Sequence, residues 1–246
     1  MGISQTLRSR GLGARIVPDF LGESASTTWR IESERSSTRL VLEDGTVLSE
    51  KEISAVFVQR PRFAVKEGWK VDDAVYIHAE KEAALLGWIW SLPCPVINRY
   101  PAELWFEPTP SPLYWSRQLE MCGLNGADVE AARQDQSSQS NDIDWSTRCY
   151  SAAIIGSQVV WDENVALSDL DARLVQFAKL IGLTCIGCEF LALPGLPKIN
   201  AKTFPTFDRF CSASQGEIIE RIADLMVNSL NLPGEDKRPS SPQVWS

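Results

Sequence analysis

Histidine is almost missing from this sequence, since His78 is the only one among 246 residues. The sequence has one Cys-x-x-Cys pair, but no second Cys/His pair stands at ligand spacing, so the common zinc-binding patterns are not present. The chain also lacks a run of about 18 apolar residues, the length that a membrane-spanning helix needs. Its first residues lack the apolar segment of a secretory signal peptide. We therefore expect a soluble, cytoplasmic protein with no membrane partner.

Basic residues are outnumbered, with 24 Lys and Arg against 32 Asp and Glu and a net charge of −8. Nucleic-acid binding depends on a basic surface, so we expect no nucleic-acid partner. A hydrophobic content of 44% and a charged content of 23% are ordinary for a globular protein. Nine tryptophans indicate either a large aromatic core or a contact surface.

The six cysteines of a cytoplasmic chain are expected to be free thiols rather than disulfides. Cys185 and Cys188 stand at the Cys-x-x-Cys spacing that can be redox-active or zinc-binding. In a strand, however, a three-residue separation puts the two thiols on opposite faces. We interpret the pair as buried structural cysteines, with a functional role as the alternative.

Turn and helix signals divide the chain into alternating elements. Asp44-Gly45 lies between two apolar runs, which predicts a β-hairpin. The continuous apolar run Ile53–Gln59 predicts a strand, and Asp72 or Asp73 is expected to cap a helix that runs to about Ser91. A second hairpin is expected to turn at Gly156-Ser157.

The stretch 180–208 carries the strongest candidate site. Gly182 is the expected stop of a helix, and an apolar strand should follow from Leu183 to Leu193. After a Pro-Gly turn, a short strand should hold Lys198 and Asn200. Because side chains alternate along a strand, these two residues should share one face, which could line a site.

The order of these elements, ending in the segment Ile199-Asn200-x-x-x-x-Pro205-x-Phe207-Asp208, resembles the C-terminal third of ATP-grasp ligases. The resemblance is to glutamate-ligase-type enzymes and to those that mature microviridin-like peptides. It implies an α/β N-terminal pre-ATP-grasp-like domain over residues 1–108 and an α+β C-terminal ATP-grasp-like half over 109–231. A disordered tail is expected over 232–246.

In that family, an acidic residue on one strand and a Glu-x-Asn pair on the next hold the Mg²⁺ ions that bridge the ATP phosphates. By position, Glu189 and Asn200 correspond to metal ligands, and Lys198 and Asn200 correspond to cofactor-binding positions. Lys198 replaces the second acidic ligand. An ammonium group cannot coordinate Mg²⁺, which takes oxygen ligands.

Two further departures concern the nucleotide. The helix expected over Ser111–Gly123 carries no lysine where the family has one. The polar stretch Asn125–Asp144 stands where the family has a lysine-bearing subdomain that clamps ATP, so this clamp is expected to be largely missing. Arg148 falls on the position of an arginine that approaches the phosphates or the acyl phosphate, which makes it the catalytic candidate. A surface arginine on a strand is the alternative interpretation.

These residues lead to three hypotheses. The first is an ATP-grasp-like protein without ligase activity or cofactor that binds a peptide, pairs with an active ligase, or forms a homo-oligomer. The second is a minimal active carboxylate–amine or ester-forming ligase that uses ATP, Mg²⁺ and an acyl phosphate, with Arg148, Glu189 and Asn200 in its site. The third is an enzyme that has abandoned ATP and uses a thiol or His78.

Overall fold

The computed structural model describes residues 2–17, 25–31, 36–59, 70–105, 112–126, 149–162, 168–191, 198–202 and 210–230. Its helices are α1 (Ile3–Ser9), α2 (Val71–Ser91), α3 (Ala102–Trp105), α4 (Pro112–Met121), α5 (Ser168–Leu180) and α6 (Ser212–Leu230). Its strands are β1 (Ala25–Ile31), β2 (Ser36–Leu42), β3 (Val47–Ser49), β4 (Val56–Phe57), β5 (Val96–Ile97), β6 (Asn125–Gly126), β7 (Cys149–Ile155), β8 (Gln158–Trp161), β9 (Cys185–Leu191) and β10 (Lys198–Lys202).

The chain forms two compact units. One comprises residues 7–99 and 226–246, and the other comprises residues 1–6 and 100–225. The predicted boundary between residues 108 and 109 falls in 106–111, outside the described residues, and stays a prediction. The same holds for the predicted tail at 232–246. Within the described ranges, no helix is both long enough and apolar enough to cross a membrane.

The first unit contains an antiparallel meander in the order β1-β2-β3 and a parallel pair, β4-β5. The predicted hairpin at Asp44-Gly45 is confirmed, because β2 pairs with β3 and Gly45 takes the positive φ of 77° that the turn requires. The strand predicted over Ile53–Gln59 is correct in type but too long, since only Val56 and Phe57 form strand structure.

Helix α2 supplies the main helical contribution to this unit's core. It buries Leu85, Trp88 and Ile89, and the Trp88 Nε1–H donates to Thr38 Oγ1 of β2 at 3.1 Å. The predicted aspartate cap is wrong, because the N-cap residue is Lys70 and it makes no side-chain cap bond. Asp72 and Asp73 lie in the first turn, where their charge complements the helix dipole.

The second unit is built on a five-stranded sheet in the order β6-β10-β9-β7-β8. The hairpin predicted at Gly156-Ser157 is confirmed by the antiparallel pairing of β7 with β8. The predicted helix stop is also confirmed, since α5 ends at Leu180 and Gly182 has a φ of 72°. The next strand is shorter than predicted, running from Cys185 to Leu191, and the Pro-Gly turn lies outside the described residues.

Candidate functional site

The central strand of the five-stranded sheet places Glu189 between two polar neighbours. In the register of the antiparallel ladders, Glu189 stands opposite Ser151 of β7 on one side and Asn200 of β10 on the other. Residues directly opposite each other share a sheet face, with Cβ atoms about 4.5–5.5 Å apart. We call Ser151, Glu189 and Asn200 the Glu189 row.

Lys198 lies two residues before Asn200 in β10. It stands opposite Leu191, which in turn stands opposite Cys149 of β7. The short strand that was predicted to hold Lys198 and Asn200 is therefore present, and it extends to Lys202. Alternation along a strand predicts that the two residues share one face, and this stays a prediction.

Helix α5 covers the opposite face of the sheet. Trp161 stands opposite Ala152 in the β7–β8 ladder, and its Nε1–H donates to Asp171 Oδ1 of α5 at 2.8 Å. Its ring packs against Phe190, with the ring centroids 4.8 Å apart. Ala152 and Phe190 alternate with Ser151 and Glu189, so the Glu189 row lies on the sheet face away from α5.

Among the carboxylates of this unit whose burial the structure describes, Glu189 is the buried one. Glu189 is only 9% exposed, whereas Asp169 and Glu217 are exposed. Carboxylates are seldom buried unless they are paired or serve a ligand, because removing a charge from water is costly. A carboxylate and an amide are oxygen donors of the kind that Mg²⁺ takes, so Glu189 and Asn200 stay the candidate metal ligands.

The two strand cysteines are buried, free thiols, as predicted. Cys185 stands opposite Ile155 and Cys188 opposite Ala152, so the two thiols lie on opposite faces. Burial raises the pKa of each thiol from 9.0 to about 12, and the charge of Glu189 adds to the shift at Cys188. Since the thiolate is the reactive and metal-binding form, these groups are inert near neutral pH.

His78 lies on α2, in the other unit. Its Nε2 is 3.2 Å from Glu82 Oε1, one helical turn away, and Glu82 is buried. The free thiol Cys122 is also buried, and burial raises its pKa. His78 and Cys122 lie in different compact units of the chain, so the thiol or histidine mechanism stays an untested hypothesis.

Arg148 lies outside the described residues, so its catalytic role stays a prediction. Within the parts of the chain that the structure describes, no group of three or more His, Cys, Asp or Glu side chains could hold a metal ion.

A groove of about 560 Å³ opens on the helix side of the second unit. None of the candidate site residues predicted from the sequence lines it. Its Glu217–Arg221 ion pair, 3.3 Å long, is exposed, which makes it a weak surface pair. We therefore assign the candidate site to the Glu189 row rather than to the groove. The groove is lined by Ser157, Gln158, Val159, Asp171, Ala172, Val175, Lys179, Glu217 and Arg221.

No protein-family profile matches this chain, and no curated protein matches it in sequence. Solved structures do match in fold. The macrocyclase MdnC from Microcystis aeruginosa, bound to its precursor peptide MdnA, superposes with a TM-score of 0.67 at 14% identity. The match covers 92% of this chain and 94% of MdnC.

Two further structures agree with this. A RiPP-associated ATP-grasp ligase from Chryseobacterium gregarium, in complex with ADP and leader and core peptides, gives a TM-score of 0.64 at 12% identity over 97% of this chain and 95% of its own. The ATP-grasp ligase PsnB, in complex with a phosphomimetic variant of its minimal precursor, Mg and ADP, gives a TM-score of 0.65 at 14% identity. This match covers 92% of this chain and 93% of PsnB. The fold is therefore that of the peptide-maturing ATP-grasp ligases, which confirms the resemblance.

Proposed function

We propose that this chain is an ATP-grasp-like protein that has lost ligase activity. In this proposal it serves as a peptide-binding or partner subunit in a peptide-modification pathway. The observation that carries the proposal is the position of Lys198 in β10. Lys198 lies two residues from Asn200, in the strand paired with Glu189, at the position that resembles the second acidic ligand of the ligases.

Electrostatics explain why a lysine at this position opposes ligase activity. Phosphoryl transfer requires that divalent cations and basic groups neutralise the phosphate charge. A lysine in place of an acidic ligand removes an oxygen donor and adds a positive charge beside the remaining donors. Glu189, Asn200 and Lys198 together therefore do not fit a bound Mg²⁺. The sequence departures at Ser111–Gly123 and Asn125–Asp144 support the same conclusion.

The peptide part of the proposal has separate support. The neighbours in fold were solved with precursor, leader or core peptides bound, so this fold accommodates a peptide in those proteins. In this proposal the chain keeps the fold and its peptide recognition while it loses nucleotide chemistry.

Calorimetric titration with ATP and Mg²⁺ tests the loss of nucleotide binding. We expect no binding heat from the unaltered protein. Lys198→Glu restores the missing acidic ligand and is expected to gain Mg²⁺-dependent binding if the rest of the pocket persists. Lys179→Glu makes the same charge change on an exposed position of α5 and should remain silent. Binding of ATP and Mg²⁺ by the unaltered protein at micromolar concentration would contradict the proposal.

The partner function is tested by purifying the tagged protein from its native host and analysing the eluate by mass spectrometry. We expect a stoichiometric peptide or an ATP-grasp ligase. Repeated recovery of the chain without either would count against a binding role.

The alternative is a minimal active ligase that joins a carboxylate to an amine or hydroxyl through an acyl phosphate. The direct pairing of Glu189 with Asn200 favours it, since both predicted metal ligands stand side by side. Phosphate release from ATP that Asn200→Ala abolishes would support this alternative. Absence of release with any added carboxylate and amine would oppose it.

A further inference from the structure

One face of the β1-β2-β3 sheet is buried and the other is exposed. In β2, Thr38 and Leu40 are buried, whereas Ser37 and Arg39, which alternate with them, are exposed. The Nε1–H of Trp88 on α2 donates to Thr38 Oγ1, so α2 covers the buried face. Side chains alternate across a strand, and Ser37 and Arg39 therefore lie on the face away from α2.

Two arginines and two hydroxyl residues stand at neighbouring positions of the exposed face. Thr28 of β1 is opposite Arg39, and Arg30 of β1 is opposite Ser37. All four residues are exposed. Each arginine has a hydroxyl residue directly opposite, with Cβ atoms about 4.5–5.5 Å apart, and the two arginines are diagonal neighbours at about 7–8 Å. We call Thr28, Arg30, Ser37 and Arg39 the arginine patch.

Acidic residues at the end of β3 bind main-chain groups of the same sheet. Glu50 Oε2 accepts from the Thr38 N–H at 2.8 Å. Glu52 Oε2 accepts from the Ser49 N–H at 2.7 Å and from the Ser49 hydroxyl at 2.8 Å. These two carboxylates are therefore occupied by donors of β2 and β3.

We propose that the arginine patch binds an extended acidic segment of a partner protein, in which two carboxylates are separated by one residue. In an extended chain, residues i and i+2 project to the same side about 6.8 Å apart, which is close to the separation of the two arginines. A guanidinium group binds a carboxylate through two parallel hydrogen bonds. The hydroxyl groups of Thr28 and Ser37 supply further donors between the two arginines.

Charge selects a short acidic segment as the ligand. Two like charges at neighbouring positions of a sheet destabilise each other, and a pair of bound carboxylates relieves that repulsion. Duplex DNA suits the arginine patch less well, because its binding proteins make roughly six to ten phosphate contacts. Two arginines on a chain of net charge −8 do not supply that number.

The proposal goes beyond the proposed function, because it holds whether or not ligase activity is lost. The arginine patch lies in the unit formed by residues 7–99 and 226–246, whereas the Glu189 row lies in the other unit. Peptide binding at the patch and nucleotide binding are therefore measured independently of each other.

Nuclear magnetic resonance titration of the isotope-labelled full chain tests the binding. The probe is an acetylated and amidated heptapeptide of serines and threonines with glutamates at its third and fifth positions. Its isomer with adjacent glutamates, at the third and fourth positions, is the control, since adjacent side chains of an extended chain project to opposite sides. We expect amide shifts concentrated in β1 and β2. The dissociation constant of the isomer should be at least about fivefold larger, because it loses one of the two charge pairs.

Substitutions at Arg39 test the contact. Arg39→Glu replaces an attraction by a repulsion and should raise the dissociation constant of the probe at least about tenfold. Arg39→Lys keeps the charge but loses the planar guanidinium, so its constant should fall between those of the unaltered protein and Arg39→Glu. Arg117→Glu is the matched control, the same charge change at an exposed position of α4, and should leave the constant unchanged. The amide spectrum of each variant also shows whether it is folded.

Equal affinity for the two isomeric peptides would overturn the proposal, because the spacing of the arginines would then play no part. So would binding that Arg39→Glu leaves unchanged, or an absence of shifts in β1 and β2. Phosphatidylserine vesicles provide the last comparison. If the protein sediments with them, Arg39→Glu abolishes this and the probe does not bind, the patch is a membrane contact and the peptide proposal is wrong.

Discussion

At the scale of single residues, buried thiols make this protein sensitive to alkaline pH. Cys185 and Cys188 are 0% and 2% exposed, and burial raises the pKa of each to about 12. In the unfolded chain the same thiols ionise near 9.0. The folded state binds these protons more tightly, so their contribution to stability is complete below pH 9.0 and is lost as the pH rises toward 12.

We therefore expect the free energy of unfolding to fall between pH 9 and pH 11 by up to about 1.4 kcal/mol per pH unit for each thiol. Urea unfolding at several pH values measures this slope. Cys188→Ala should reduce the slope by one thiol's share. An unchanged slope in that variant would show that other groups cause the alkaline loss.

For Cys185 and Cys188, the sequence predicted the sheet faces on which the two thiols lie but not how deeply they are buried. Residue spacing in an apolar strand was enough to separate the two thiols onto opposite faces, and the ladder with β7 confirms it. The depth of burial, and with it the pKa, comes from the strands and helices packed around them. That part depends on residues far away in the sequence.

At the scale of elements, one hydrogen bond ties a helix to the sheet. Trp161 at the end of β8 donates to Asp171 on α5, while the Trp161 ring covers Phe190 of β9. The Trp161 carbonyl also accepts from Ser214 Oγ of α6 at 3.3 Å. This tryptophan therefore joins three strands and two helices on the face opposite the Glu189 row.

We expect Asp171→Ala to lower the free energy of unfolding by about 1.5–3 kcal/mol, the usual worth of a hydrogen bond to a charged group. Asp169→Ala is the matched control, because Asp169 lies in the same first turn of α5 but is exposed. Both variants lose the favourable interaction with the helix dipole, about 0.3–1 kcal/mol, so the difference between them measures the Trp161 contact. Equal losses in chemical denaturation would contradict this assignment.

Glycine turns and the glycine helix stop were the most predictable features of the elements, whereas the N-cap of α2 was predicted wrongly. The glycines at positions 45 and 182 adopt the positive φ values that their positions in the sequence indicated. Element lengths were less predictable. The strand at Ile53–Gln59 was expected to be seven residues and has two, because strand extent depends on a pairing partner and β5 offers only Val96 and Ile97.

At the scale of the whole molecule, charge limits the choice of partners. An excess of acidic over basic residues, 32 against 24, opposes binding to polyanions. We expect no mobility shift of duplex DNA by this protein even at low ionic strength, where electrostatic attraction is strongest. A shift that added salt abolishes would reveal a local basic surface and contradict the expectation.

The burial of individual tryptophans could not be predicted from the sequence. Their number indicated an aromatic core or a contact surface, and the described tryptophans include both buried and exposed ones. Trp88 and Trp105 are buried, whereas Trp90, two residues from Trp88 on the same helix, is 38% exposed. Composition could not assign these roles, because exposure depends on which side of α2 meets the sheet.

From the sequence alone we predicted the order of the elements, the hairpins, the short strand that holds Lys198 and Asn200, and the resemblance to ATP-grasp ligases. Each of these rests on local periodicity or turn chemistry, which acts over a few residues. The tertiary structure was needed to establish the direct pairing of Glu189 with Asn200, the covering of the opposite face by α5, and the exposure of Trp90 beside the buried Trp88. Those features depend on contacts between residues distant in the chain, and no local pattern encodes them.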